Sequence, residues 1–180
     1  MRHEIMLAGF GGQGLLSAGA LLAYAGLAEG RQVSWMPSYG PEQRGGTANC
    51  SVVISDAVVA SPIVVEPTSA VIMNAPSLEK YEPSVRPGGV LVVNSSMAGR
   101  APARTDLRVL ELPTTEIANE LGNLKVATLV AVGALVELTG CVGMEEVVKA
   151  LAKVLPEKAI PVNEQALRRG QFMAREMAKA

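Results

Sequence analysis

The stretch Gly9-Phe10-Gly11-Gly12-Gln13-Gly14 constrains this chain more than any other. It follows the short apolar run Ile5-Met6-Leu7-Ala8 and precedes residues 15–28, which are apolar almost all round. A buried strand, a glycine turn and a buried helix, in that order, open an α/β unit. The G-x-G-x-x-G spacing admits two readings. Glycines let backbone N–H groups approach a phosphate at the positive end of a helix. They equally permit a tight strand-to-helix crossover with close packing. A dinucleotide site also needs an acid at the end of the second strand to hold the ribose hydroxyls. That region reads Ser34-Trp35-Met36-Pro37, so NAD and FAD are disfavoured.

The remaining pattern extends the α/β reading. Strands are predicted at 32–36, 48–55, 70–73, 90–93 and 107–112. Short helices are predicted from Pro76 or Ser77 to Tyr81, and from a Thr114 cap through Leu121. The last third is helical. Residues 126–138 are largely apolar with a single charge, Glu137, and the small Ala131, Gly133 and Ala134 would let this helix pack closely, in the core or against another subunit. Met144, Val147, Val148, Leu151, Val154 and Leu155 repeat at helical spacing, with Glu145, Glu146, Lys149 and Lys153 on the other side. Asn163 is the expected cap of a final helix to about Lys179. The expectation is one domain over residues 1–180: an α/β, Rossmann-like sandwich with a mostly parallel sheet flanked by helices.

A second unusual segment runs Pro37-Ser38-Tyr39-Gly40-Pro41-Glu42-Gln43-Arg44-Gly45-Gly46-Thr47. Long loops in compact domains are often functional. If strands one and two are neighbours, this loop emerges beside the glycine loop. Arg44 could then clamp a phosphate or carboxylate. The plainer alternative is a solvated turn in which Arg44 and Glu42 pair with each other at little net gain.

Composition removes several function classes. Of the 180 residues, 49% are hydrophobic, 18% charged and 3% aromatic, with a net charge of −1. Without a basic face or aromatic platforms, nucleic acid is not an expected partner. Charge below the average of about 25% suggests a surface partly covered by a partner. Cys50 and Cys141 are read as buried, inert thiols, and with no Cys/His cluster neither zinc nor an iron–sulfur site can be built from this chain alone. The one histidine, His3, is expected at the surface and excludes a Ser-His-Asp set. The N-terminus lacks signal-peptide character, and the longest apolar stretch, residues 126–136, falls short of the roughly 20 residues a bilayer needs. A cytoplasmic, membrane-free protein is expected.

Taken together, Gly9-Phe-Gly-Gly-Gln-Gly14, Ala18-Gly19 with Leu21-Leu22, and Pro37 through Ser55 resemble the gamma subunit, or gamma domain, of the 2-oxoacid:ferredoxin oxidoreductases. The resemblance resumes at Ser61-Pro62, at residues 127–138, and at Asn163, Ala166 and Gly170. The wording Pro-Ser-Tyr-Gly-Pro-Glu, followed by Thr-Ala-Asn-Cys, is most similar to the 2-oxoglutarate enzymes. The resemblance implies a complex with alpha, beta and ferredoxin-like delta subunits. That complex decarboxylates a 2-oxo acid oxidatively to an acyl-CoA and passes electrons to ferredoxin. Thiamine diphosphate and iron–sulfur clusters would belong to the partner subunits, and this chain would not be active alone. Its implied role is to complete the complex and help bind coenzyme A.

The residues expected to contact coenzyme A are Gly9, Gly11, Gly12, Gln13 and Gly14 in the glycine loop, with Tyr39, Glu42, Arg44, Gly45 and Gly46 in the polar loop. No catalytic residue is assigned. A 3′-phosphorylated ribose needs no diol-binding acid, so its absence agrees with this ligand. Three alternatives stand beside it: a purely structural assembly subunit, the small subunit of an indolepyruvate:ferredoxin oxidoreductase, and a free-standing nucleotide-binding protein. An isolated chain could also pair with itself through the partner surface.

Overall fold

The computed structural model describes residues 1–39 and 46–179. Six strands form one sheet: β1 (Arg2–Phe10), β2 (Gln32–Tyr39), β3 (Thr47–Ser55), β4 (Ser69–Ile72), β5 (Val90–Asn94) and β6 (Arg108–Leu112). Their order is β2-β3-β1-β4-β5-β6. The β1–β4, β4–β5 and β5–β6 pairs are parallel, while β3 runs antiparallel to both of its neighbours. Five strands therefore point one way and β3 alone points back, as a mostly parallel sheet requires.

The strand order corrects one expectation. β1 and β2 are not neighbours, because β3 lies between them. The reason is the connection. The short return after β2 brings β3 back antiparallel beside it, and the other edge of β3 pairs along β1 from Arg2 to Phe10, taking the place next to β1 that β2 would have filled. The polar segment is shorter than predicted, since β2 continues through Pro37 to Tyr39. Pro37 is tolerated there because β2 is an edge strand.

Helices α1 (Leu15–Ala28), α2 (Ala75–Tyr81), α3 (Thr114–Glu120), α4 (Ala127–Thr139), α5 (Met144–Val154) and α6 (Ile160–Lys179) cover the sheet unequally. Alternation along β1 explains the two layers. Ile5 and Leu7 face the large core that holds α1, α4, α5 and part of α6. Met6 and Ala8 face a smaller core with Leu78 of α2 and Val85. Beyond α2, this second face meets an irregular strap, residues 56–68. The Ser51 hydroxyl donates to the Pro62 carbonyl at 3.5 Å. Apolar side chains of the strap nevertheless point outward: Val58 is 78%, Ile63 63% and Val65 74% exposed.

α4 is the central core helix, with nine consecutive buried residues from Thr128 to Val136. It crosses α6 at two glycines. A Cβ on Gly133 would collide with the Leu167 carbonyl oxygen, and one on Gly170 with that of Val130. Local capping also differs from expectation. α6 begins at Ile160, so Asn163 lies inside its first turn and donates to the Ala159 carbonyl at 2.7 Å. Thr114 supplies no cap to α3. The effective cap is Asn74 on α2, which accepts from the Ser77 N–H at 2.9 Å. His3, expected at the surface, is partly buried in β1, with its Nε2 enclosed and without a partner among the described residues.

Candidate functional site

The glycine loop joins β1 to α1 at the carboxyl end of the parallel strands, beside the β1–β4 boundary. α1 leaves β1 on one face of the sheet, while α2 follows β4 on the other. That divergence is a topological switch point, where open α/β sheets place their ligands.

Gly9 and Gln13 build the loop. The Gln13 side chain folds back, its Oε1 accepting from the Phe10 N–H at 2.7 Å. It occupies the space a Gly9 side chain would fill, where an added Cβ would meet Gln13 Oε1 and approach Met73 Cβ to 2.9 Å. The Gln13 N–H donates to the Phe10 carbonyl at 3.3 Å, and the Gly11 N–H to the Gly46 carbonyl at 2.9 Å. This last bond ties the glycine loop to the far end of the polar segment. The near end is also close. Tyr39 and Gly9 both pair with Ala48 from opposite sides of β3, two strand spacings, or about 10 Å, apart. The two segments therefore emerge together, with β3 between their strands. Tyr39 itself is 70% exposed. Glu42, Arg44 and Gly45 lie outside the described residues.

Gly12 and Gly14 have a different character. Their φ angles are 88° and 77°, a region that favours glycine. A Cβ on Gly12 would meet nothing within 4 Å. No described residue accepts from the N–H of either glycine. Gly14 is the N-cap of α1 and carries no side-chain cap, so the N–H groups of the helix's first turn open on the same space. The helix dipole adds partial positive charge there.

Two clefts flank this loop. One, of about 350 Å³, lies between α1 and the start of α6 and includes Ser17, Lys125 and Asn163. The other, of about 270 Å³, lies toward Met73, Met97 and Thr115. Gly12, Lys125 and Thr128 line both. Lys125 is the one charged side chain among the described residues lining either cleft. Its exposed ammonium faces no acid there, and backbone donors open beside it. This arrangement suits an anion. Sequence reasoning missed Lys125 and Asn163 because they lie more than a hundred residues from the loop. Only the packing of α4 and α6 brings them in. A larger groove of about 660 Å³ lies on the outer side of α6. Its arginines are already paired, Arg168 with Glu145 and Glu164, and Arg169 with Glu120, so it offers an anion little unspent charge.

Neither thiol is available for chemistry. Cys50 is fully buried and donates to the Leu15 carbonyl at 3.3 Å, tying β3 to the start of α1. Burial pushes its pKa up to about 12, against smaller opposing hydrogen bonds from Trp35 and Gly19. Burial also raises that of Cys141. Among the described residues no three His, Cys, Asp or Glu side chains converge as metal ligands. No helix among them is long and apolar enough to cross a membrane.

Comparison with known proteins agrees with this architecture. Residues 4–171 match the family model described as pyruvate ferredoxin/flavodoxin oxidoreductase. The chain is 36% identical to the 2-oxoglutarate synthase subunit KorC of Methanocaldococcus jannaschii, covering 98% of this chain and 96% of that one. It is 41% identical to the ketoisovalerate oxidoreductase subunit VorA of Methanothermobacter thermautotrophicus, covering 96% of this chain and 36% of the relative. The chain thus spans about a third of the length of the VorA subunits it matches. The gamma subunit of a keto/oxoacid ferredoxin oxidoreductase from Geobacter sulfurreducens superposes with a TM-score of 0.85 at 32% identity, covering 97% of this chain and 99% of that one. A 2-oxoglutarate:ferredoxin oxidoreductase from Magnetococcus marinus, solved with 2-oxoglutarate, coenzyme A and succinyl-CoA, shares the fold at a TM-score of 0.89 and 23% identity, over 99% of this chain and 32% of that one. The sheet order, the glycine loop at its switch point and these matches converge: the chain belongs to the pyruvate ferredoxin/flavodoxin oxidoreductase family.

Proposed function

We propose that this chain is the gamma unit of a 2-oxoacid:ferredoxin oxidoreductase, with 2-oxoglutarate as the oxo acid, and that its glycine loop holds phosphate groups of coenzyme A. The observation that carries the reading is the unopposed charge of Lys125 beside the free N–H groups of Gly12, Gly14 and the first turn of α1. A diphosphate and a 3′-phosphate are the anions such a cradle suits. Apolar Leu129, Leu155 and Pro156 on the 350 Å³ cleft suit the rest of an elongated ligand. Arg44, on the polar segment whose ends lie beside the loop, is placed by this reading as a second cation. The KorC relatives, matched over nearly their full length, favour 2-oxoglutarate.

In the reaction so proposed, the oxo acid loses carbon dioxide, two electrons pass to ferredoxin, and the acyl group forms a thioester with the coenzyme A thiol. Thiamine diphosphate would carry the decarboxylation and iron–sulfur clusters the electrons. This reading assigns both to partner subunits, and for the clusters the buried Cys50 and Cys141, two thiols only, support it. This chain contributes binding and orientation of the acyl acceptor. The stretch 57–65 of the strap carries no charge and turns Val58, Ile63 and Val65 outward, which supports assembly with a partner.

Isothermal titration of the assembled complex with coenzyme A tests the reading. Lys125→Glu, Gly12→Asp and Arg44→Ala are each expected to weaken binding about tenfold or more, a loss of ~1.4 kcal/mol. Unchanged affinity in all three would sink it and leave both loops as subunit contacts. Turnover with a panel of 2-oxo acids separates 2-oxoglutarate from indolepyruvate.

A further inference from the structure

We propose that Thr128 is a positioning residue that aims the Gly14 N–H at the bound phosphate, an inference that rests on the coenzyme A reading of the glycine loop. Thr128 is buried at the second position of α4, and its hydroxyl donates to the Gln13 carbonyl at 2.5 Å, across 115 residues of sequence. In a trans peptide the carbonyl and the following N–H point in opposite directions. Holding the Gln13 carbonyl on the Thr128 hydroxyl therefore fixes the facing of the Gly14 N–H, which has no acceptor among the described residues.

The same device is visible one step earlier in the loop. The Phe10 carbonyl is held by the Gln13 N–H, and the Gly11 N–H of that peptide points to Gly46. There both ends of the peptide are satisfied by the backbone. In the Gln13–Gly14 peptide the carbonyl is held by a side chain from a distant helix, and no described residue takes the N–H.

The anchor has something to restrain. Gly12 and Gly14, on either side of Gln13, both sit at positive φ and lack the Cβ that would limit rotation. A rotated Gln13–Gly14 peptide would present a carbonyl oxygen where the phosphate expects a donor. Thr139, at the other end of α4, returns its hydroxyl to the Leu135 carbonyl of its own helix. Thr128 instead directs its hydroxyl across to the loop.

The experiment compares wild type, Thr128→Val and Thr128→Ser in the assembled complex. It reads coenzyme A dissociation constants, the KM values for coenzyme A and for the oxo acid, and deuterium uptake of residues 10–17. Thr128→Val keeps the shape and removes the donor. It is expected to weaken coenzyme A about tenfold, raise its KM in step and speed loop exchange, with the oxo acid KM unmoved. Thr128→Ser restores all three. If Thr128→Val does not assemble, Thr128→Ala is read the same way. Wild-type affinity in the donor-less variant, or a serine variant as weak as the valine one, overturns the role of Thr128 alone. Absence of coenzyme A binding by the unsubstituted complex overturns the phosphate reading, and this role with it.

Discussion

Gly170 of α6 stands against the Val130 carbonyl of α4 with no room for a methyl group between them. Gly133 meets Leu167 the same way from the opposite helix. Because backbone, not flexible side chain, occupies the space, either helix must shift to admit a Cβ. Gly170→Ala and Gly133→Ala are each expected to cost about 3 kcal/mol, the upper part of the overpacking range. For a chain of this size that lowers the melting midpoint by roughly 6–12 °C. Calorimetry would read it, and an unchanged midpoint would refute the contact. The same crossing sets the distance between Thr128 on α4 and Asn163 on α6, so these variants should also weaken coenzyme A.

Glu82 gives the fold an acid-sensitive clamp. Its Oε1 accepts from the N–H groups of Ala103 at 2.5 Å and Arg104 at 2.9 Å, and its Oε2 meets the Arg100 guanidinium at 2.8 Å. Burial opposes the charge most strongly, but these donors together outweigh it and hold the pKa below the ordinary 4.5. A depressed carboxyl stabilises the fold above its unfolded value and loses that contribution as the pH falls through its folded value. Glu82→Gln should therefore cost about 2 kcal/mol at pH 7 and flatten stability below about pH 4.5. Urea titrations between pH 3 and pH 7 check it; parallel curves for the two proteins would refute it.

The two thiols should be silent. With Cys50 pushed up to about 12 and Cys141 also raised, neither forms thiolate at pH 8 in the folded chain. A chromogenic disulfide reagent is expected to titrate none natively and both after unfolding. Rapid native reaction of either would contradict their burial.

The strap offers a separable assembly test. Ile63 and Val65 are too exposed for their replacement to disturb the core, so Ile63→Asp with Val65→Asp should leave the melting midpoint within about 2 °C. Partner subunits should co-purify at least tenfold less well. Full recovery of the complex would remove the strap from the interface.

Much of this was legible in the sequence. The glycine loop, the helix after it and the amphipathic pattern of α5 each depend on local spacing, and each lies where that spacing placed it. The antiparallel insertion of β3 was not legible, since it turns on how a short connection closes. The site was half legible. Gly12 and Gly14 follow from the motif, but Gly9 and Gln13 turned out to shape the loop, a role visible only once the folded-back glutamine is seen. Lys125 and Thr128 had no local signal. The small residues Gly133 and Gly170 were the available hint that two late helices cross closely enough to deliver them.

Pro37 carries a consequence for life at high concentration. β2 is an eight-residue edge strand without a charge, with Trp35, Met36 and Tyr39 exposed along it. Uncharged edges of that length recruit strands from other molecules. A proline offers no N–H, so the row of donors along the edge has a gap at Pro37. An arriving strand loses a ladder bond at that gap, which disfavours extension of the sheet beyond its six strands.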